Sequence, residues 1–238
     1  MPLNFQVQVL PALEIRLNPD TQDLKAGHLD ILVNRDVKSF VIEAYGTDGV
    51  PVEAASSFVG SVRGGVSVPL DWTPATHEIL RFRVRVEDGS GFWAEKNIYP
   101  WFIDIPHEDL VFKTNEAKIP RTELPKLEEP WEEILDAVAR YGAHAPVKLY
   151  IGGFTDTVGT RSSNLALSDS RARSLAEWFM TKGFEGEIWY QGFGEDGLKI
   201  PTGDEVDEQA NRRAVYVIAA DPPPVVRSSQ QSNWKRLK

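Results

Sequence analysis

Three short polar motifs close three apolar runs in this chain: Gly152-Gly153-Phe154-Thr155-Asp156-Thr157-Val158-Gly159, Asn164-x-x-Leu167-Ser168-x-x-Arg171-Ala172, and Asn211-Arg212-Arg213. The first puts a carboxylate in a loop and the second puts a guanidinium on a helix. A carboxylate only accepts hydrogen bonds, and a guanidinium only donates them, through a planar fork. Set across a cleft, the two suit a ligand that carries an ammonium and a carboxylate on one carbon. That chemistry is a grip rather than a reaction.

The elements around the motifs are legible from periodicity. A helix over 162–182, turned by about 100° per residue, puts Leu165, Ala172, Leu175, Ala176 and Phe179 on one core-facing side. Asn164, Ser168 and Arg171 then form a polar stripe at the rim of that face, and Arg173 points into solvent. Gly183 closes the helix. Asp156 sits in the preceding loop, where Gly152, Gly153 and Gly159 allow tight turning and close backbone approach. The helix N-terminus immediately downstream favours an anion. The residues alone leave a second reading open, in which the Thr-Asp pair caps the helix or makes an Asx turn and Arg171 pairs with a nearby Asp.

Two segments with different periods flank this region. Over residues 1–105, Leu13–Leu17, Leu29–Val33, Phe40–Tyr45 and Leu80–Val86 alternate with period two. Asn18-Pro19-Asp20, Asp48-Gly49, Gly64-Gly65 and Asp88-Gly89-Ser90-Gly91 supply turns. About seven short strands predict a β-sandwich loosely resembling immunoglobulin-like or fibronectin-type modules, with Trp72, Trp93 and Trp101 in its core or at its edge. Residues 106–130 hold Pro106, Pro120, Pro125 and Pro130, with Leu110-Val111-Phe112 as a possible edge strand. Beyond them, Trp131–Tyr141 reads as a helix with Trp131, Leu135, Val138 and Tyr141 inward. Strands follow at 147–151, 187–190 and 214–218. The order β-α-β-α-β-β predicts helices layered on a mixed sheet. The expected fold class is therefore α+β with two domains, at 1–105 and 106–220, and a disordered tail over 221–238 that begins Asp221-Pro222-Pro223-Pro224.

Composition excludes several functions. The net charge of −9, divided as −5, −7 and +3 over those three segments, argues against nucleic acid and against adsorption to anionic lipid. No apolar run approaches about 18 residues, so no helix in this chain is expected to span a membrane. The start, Met1-Pro2-Leu3-Asn4-Phe5, shows no basic segment followed by an apolar one. There is no cysteine, hence no disulfide and no thiolate chemistry. His28, His77, His107 and His144 lack zinc spacing, so neither a metal nor a cofactor is expected. Gly192-Phe193-Gly194-Glu195-Asp196-Gly197 spells G-x-G-x-x-G after a strand, but no helix follows and its two acids would repel a pyrophosphate. The acidic pairs Glu128-Glu129 and Glu132-Glu133 read as a solvated helix face rather than as hydrolase carboxylates.

Residues 109–220 resemble the OmpA-like peptidoglycan-binding domain, the family of OmpA, peptidoglycan-associated lipoprotein and MotB-like flagellar stator proteins. The resemblance is carried in order by Phe112-x-x-Asn115-x-Ala117-x-Ile119, Gly153-Phe154-Thr155-Asp156-x-x-Gly159, Asn164-x-x-Leu167-Ser168-x-x-Arg171-Ala172, Gly192-x-Gly194-Glu195 and Asn211-Arg212-Arg213. It implies a non-enzymatic protein of the periplasm or cell envelope, associated with the outer membrane. Such a protein holds the diaminopimelate-type stem peptide of the bacterial wall. Asp156 would take the ammonium and Arg171 the carboxylate, with Thr114, Asn115, Thr155, Asn164 and Arg212 in supporting positions. The sandwich would then serve as a spacer or meet an envelope protein partner; the rival expectation is an interaction module that has lost wall binding. Phe154 stands where the family more often has His or Tyr, Val158 where Thr is common, and Lys113 where an acid is frequent.

Overall fold

The computed structural model describes residues 11–18, 21–73, 79–107, 110–113, 116–223 and 233–238. The chain divides into two compact units, Met1–Pro100 and Trp101–Lys238.

Among the described residues of the first unit seven strands follow one another: β1 (Ile15–Leu17), β2 (His28–Val33), β3 (Ser39–Gly46), β4 (Ser57–Phe58), β5 (Ser67–Asp71), β6 (Ile79–Glu87) and β7 (Trp93–Ile98). They form two antiparallel sheets, ordered β1-β2-β5 and β4-β3-β6-β7. Period-two patterning explains the packing. Leu29, Ile31 and Val33 of β2 meet Phe40, Ile42 and Ala44 of β3 and Phe82, Val84 and Val86 of β6 in one core. The intervening residues of β6 are Arg81, Arg83 and Arg85; the first two lie over the Tyr45 ring and the third over Trp93. Trp72 packs edge-on against Phe82 at 5.4 Å, whereas Trp93 is 60% exposed.

The second unit runs β8 (Phe102–Ile105), α1 (Glu128–Tyr141), β9 (Lys148–Phe154), α2 (Arg161–Lys182), β10 (Ile188–Gly194), β11 (Ala214–Ala219) and β12 (Lys235–Arg236). Its sheet is ordered β12-β10-β9-β11-β8. β9 and β10 are parallel, as a crossover through α2 requires, and the other pairs are antiparallel. Both helices cover one face: Trp131, Ile134 and Ala137 of α1 and Ala172, Leu175, Ala176 and Phe179 of α2 pack on Leu149, Ile151, Ile188, Tyr216 and Ile218. Tyr150, Val217 and Ala219 point the other way and pack with Phe102, Trp189 and Trp234.

The expected element order is observed, with five local differences. First, Phe102–Ile105 belongs to the second unit rather than the first. It pairs with β11, Ile105 enters the helical core, and Trp101 stacks on Tyr141 at 5.0 Å. Second, Leu110-Val111-Phe112 is therefore not the edge strand, because β8 already occupies the β11 edge; it stays irregular, with the Val111 amide donating to Glu123. Third, Leu135 is 41% exposed, because the buried stripe of α1 is centred on Ile134, roughly 100° away around the helix.

Fourth, Gly152 and Gly153 do not turn the loop. They extend β9, and among the three loop glycines only Gly159 has a positive φ, of 96°. Fifth, the last residues are ordered rather than disordered. Lys235 and Arg236 pair with Tyr190 and Trp189, and Trp234 packs edge-on against Tyr150 at 5.1 Å. Tail residues 224–232 lie outside the described residues.

Candidate functional site

A cleft of about 370 Å³ opens where β9 ends and α2 begins. Asp156, Asn164, Arg171 and Arg212 all line it, with Leu110, Val111 and Phe112 along one wall. The motifs far apart in sequence thus converge.

The convergence depends on small residues. A Cβ built on Gly153 would stand 2.3 Å from the Ser168 carbonyl oxygen, and one on Gly192 would stand 2.2 Å from the Asp169 nitrogen. Only glycine lets α2 lie this close to both parallel strands. The Ser168 hydroxyl accepts from the Gly194 amide at 2.9 Å and donates to the Leu165 carbonyl at 2.9 Å. A register shift between Gly192 and Gly194, with Gly194 at φ 57°, bends the end of β10 and carries Glu195 to the rim. The G-x-G that resembles a nucleotide fingerprint is therefore a helix-packing and bulge feature. Thr160 caps α2 by accepting from the Ser163 amide, and Gly183 ends it at φ 114°.

Phasing placed the polar stripe of α2 at the rim, with Leu165 in the core. The structure reverses that emphasis. Leu165 is 44% exposed, while Asn164, Ser168 and Arg171 are buried. The residues of β9 and β10 that face the start of α2 are Gly153 and Gly192, so no apolar side chain waits there for a leucine. Arg173 is solvated as expected and pairs with Glu177.

The charges are arranged asymmetrically. Arg171 is 8% exposed. Its Nε donates to the Glu116 carbonyl at 3.1 Å, one Nη to the Lys113 carbonyl at 3.4 Å, and its guanidinium lies 4.9 Å above the Phe112 ring. Among the described residues no carboxylate lies within ion-pair distance of it. Burial, and then the nearby Arg212, push its pKa down, while Asp156 opposes the shift. Asp156 is 7% exposed and accepts from Arg212 at 2.5 Å through one oxygen and, weakly, from the Val158 amide through the other. Arg212 also pairs with the exposed Asp207, and that contact, ahead of Asp156, raises its pKa. The alternative pairing of Arg171 with a nearby Asp is thus not realised: Arg212, not Arg171, holds Asp156.

Asn164 donates from its amide to the Asp156 carbonyl at 3.3 Å and to Glu195 at 2.7 Å. Thr155 lines the cleft with a buried hydroxyl that has no hydrogen-bond partner among the described residues. Thr114 and Asn115 lie outside the described residues. Phe154 packs flat on Phe193 at 5.1 Å, under the Arg213 guanidinium. Lys113 contributes its carbonyl to Arg171, and Val158 its amide to Asp156, so both departures act through the backbone.

Two cleft residues, and Glu195 beside them on Asn164, were not singled out as site residues in the sequence. Glu195 lay inside a quoted motif. Asp207 had only the acidic run Asp204-Glu205-Val206-Asp207-Glu208 as a signal. Phe112 was visible as an aromatic, but not as the floor under Arg171.

Comparison with known proteins finds relatives for the segment that carries the cleft. Residues 111–212 match the model of the OmpA family. Over 91 residues the chain is 33% identical to a peptidoglycan-associated lipoprotein of Pasteurella multocida, covering 37% of this chain and 61% of that protein. The chain therefore spans about three fifths of the length of that curated relative. Among solved structures, the peptidoglycan-associated lipoprotein of Burkholderia pseudomallei is 20% identical, with a TM-score of 0.38, over 47% of this chain and 89% of that one. The periplasmic domain of Helicobacter pylori MotB is 16% identical, with a TM-score of 0.38, over 60% and 82%. The matched segment contains Asp156, Asn164, Arg171 and Arg212, and its ends coincide with the cleft wall at Val111 and with Arg212.

Proposed function

We propose that the second unit binds bacterial peptidoglycan non-covalently, by gripping the amino-acid head group of a diaminopimelate-type stem peptide, and so anchors an envelope protein or assembly to the wall. The observation that carries this reading is Arg171: a buried guanidinium that faces a cleft, held by backbone carbonyls and matched by no carboxylate among the described residues. A buried charge without a counter-charge is costly, and a ligand carboxylate removes that cost. The carbonyls of Glu116 and Lys113 occupy the Nε side of the fork, which leaves the far edge for a carboxylate in end-on, two-point contact. The Asp156 oxygen not bound to Arg212 accepts weakly from the Val158 amide and has a lone pair left for an ammonium. The apolar wall at Leu110 and Val111 suits the methylene chain between the two ends of such an amino acid.

Arg212 and Thr155 support the same site. Arg212 holds Asp156 in place, and the Thr155 hydroxyl, without a partner among the described residues, is free to bond a polar ligand group. Each charge-assisted bond contributes about 1.5–3 kcal/mol net. Immobilising the ligand costs roughly 4–15 kcal/mol. One unit on one stem peptide is therefore a weak binder, and several copies on a polymer hold by avidity. The seven strands of the first unit, divided three and four over one core, support an immunoglobulin-like sandwich acting as spacer or docking module. We place the protein in the periplasm on the same grounds.

The test is a pull-down on purified peptidoglycan. Asp156→Ala and Arg171→Ala are expected to lose sedimentation with the wall while their circular dichroism stays that of the parent. Retention of both variants on the wall sinks the assignment. A second reading keeps the fold and makes partner binding the main role. The exposed Phe58, Phe92 and Trp93 of the first unit favour it, at 72%, 61% and 60% exposure. Titration with a diaminopimelate-containing stem peptide separates the two, since only wall binding saturates the cleft.

A further inference from the structure

The last six residues touch the element that carries the cleft from both of its faces. On the face away from the helices, Trp234 meets Phe193 edge-on at 5.7 Å, and Phe193 stacks flat on Phe154 at 5.1 Å. Phe154 ends β9 two residues before Asp156, and its own amide donates to the Arg213 carbonyl, next to Arg212. On the helix face, Lys235 pairs at 2.7 Å with Asp169, which follows Ser168 and also accepts from the Gly192 amide. Between these contacts the Asn233 amide donates to the Gln191 side chain, and the Leu237 amide donates to the Ile188 carbonyl. Without β12, β10 would be an open edge strand, and the bend after it would be held from one side only.

We infer that the C-terminal strand positions the ligand cleft, with Trp234 as a positioning residue that acts on Asp156 through the Phe193–Phe154 stack. The inference rests on the reading of the cleft given above. Its physical basis is that a charged grip works only while carboxylate and guanidinium are held within about half an ångström of the productive arrangement by packing behind them. Trp234 supplies part of that packing on the sheet face away from the helices, where the Arg213 guanidinium also lies over the Phe154 ring. The ring contacts that Trp234 makes there are aromatic, edge-on to Phe193 and to Tyr150.

The experiment uses the full chain, labelled with nitrogen-15, and follows a titration with a diaminopimelate-containing stem tripeptide well below the melting temperature. Trp234→Ala is expected to move the Thr155 and Asp156 amide resonances before any ligand is added, and to weaken the dissociation constant about tenfold, equivalent to about 1.4 kcal/mol. Trp234→Phe keeps a ring on Phe193 and is expected to stay within about twofold of the parent, well inside that margin. Arg171→Ala serves as the reference for the cleft itself. Should Arg171→Ala lose binding while Trp234→Ala binds like the parent, the tail has no positioning role. Should Arg171→Ala bind like the parent, the assignment of the cleft is wrong, and the Thr155 and Asp156 amides still judge the tail: resonances unmoved by Trp234→Ala overturn the coupling. A loss of affinity that merely tracks the unfolded fraction also overturns it.

Discussion

Gly153→Ala tests the architecture beneath the cleft. The added methyl carbon would sit 2.3 Å from the Ser168 carbonyl oxygen, 3.1 Å from its carbonyl carbon and 3.4 Å from the Ala172 methyl. Ordinary carbon–oxygen contact begins a little above 3 Å, so α2 must retreat from β9 by about 1 Å or bend; overpacking of this kind costs roughly 1–3 kcal/mol. The obstructing atoms are backbone, so no side-chain rotation relieves them. For a unit of this size about 1 kcal/mol corresponds to roughly 3–5 °C in melting temperature, giving an expected fall of about 3–15 °C. The functional effect follows from the same movement. Arg171 rides on α2 and Asp156 on the loop after β9, so the retreat separates the two halves of the grip. Differential scanning calorimetry supplies the first number, and wall sedimentation at a temperature where the variant is fully folded supplies the second. A variant that melts within 1 °C of the parent and binds the wall equally well would refute the close approach of helix and strand from which the cleft is built.

Two smaller perturbations probe single contacts. Thr160→Ala removes the side-chain acceptor for the Ser163 amide at the start of α2 and is expected to cost about 1 kcal/mol, read as a lower denaturant midpoint with unchanged slope. Glu123 holds the cleft wall by accepting from the Val111 amide; that bond, and then Lys126, lower its pKa. A lowered folded pKa means that the stabilisation is present above the ordinary carboxylate pKa and is lost as pH falls through the lowered one. Hydrogen exchange of the Val111 amide is expected to accelerate as the solution is acidified below pH 4, relative to amides of β9, and Glu123→Gln is expected to flatten that profile.

Much of the fold was legible because its signals are local. Alternation in β2, β3 and β6 and the apolar stripe of α2 need only a period and a buried face to be read. The differences lie where a long-range partner decided. Phe102–Ile105 and Leu110-Val111-Phe112 are both short apolar runs near prolines, and only the available edge of β11 selects the first as a strand. The tail has the composition of a disordered segment, yet Trp234 finds Tyr150 and Phe193, residues that local sequence cannot bring to it. Leu135 and Leu165 are exposed because periodicity fixes which residues share a stripe but not which edge of the stripe faces the sheet.

The same division holds for the site. Sequence by itself determined which residue types meet: a loop carboxylate, a helical guanidinium and a second arginine after a buried asparagine, on elements whose order brings them to one end of a sheet. Tertiary structure decided the pairing. It set Arg212 rather than Arg171 against Asp156, gave Asp207 a place beside Arg212, and left Arg171 on backbone carbonyls over Phe112. The reason is physical. Charge type and periodicity are properties of one segment, whereas which of two cations reaches a carboxylate depends on ångström-scale offsets between segments. Here those offsets are set by glycines at 153 and 192 that admit the helix, and by the strand that braces β10 from the other side.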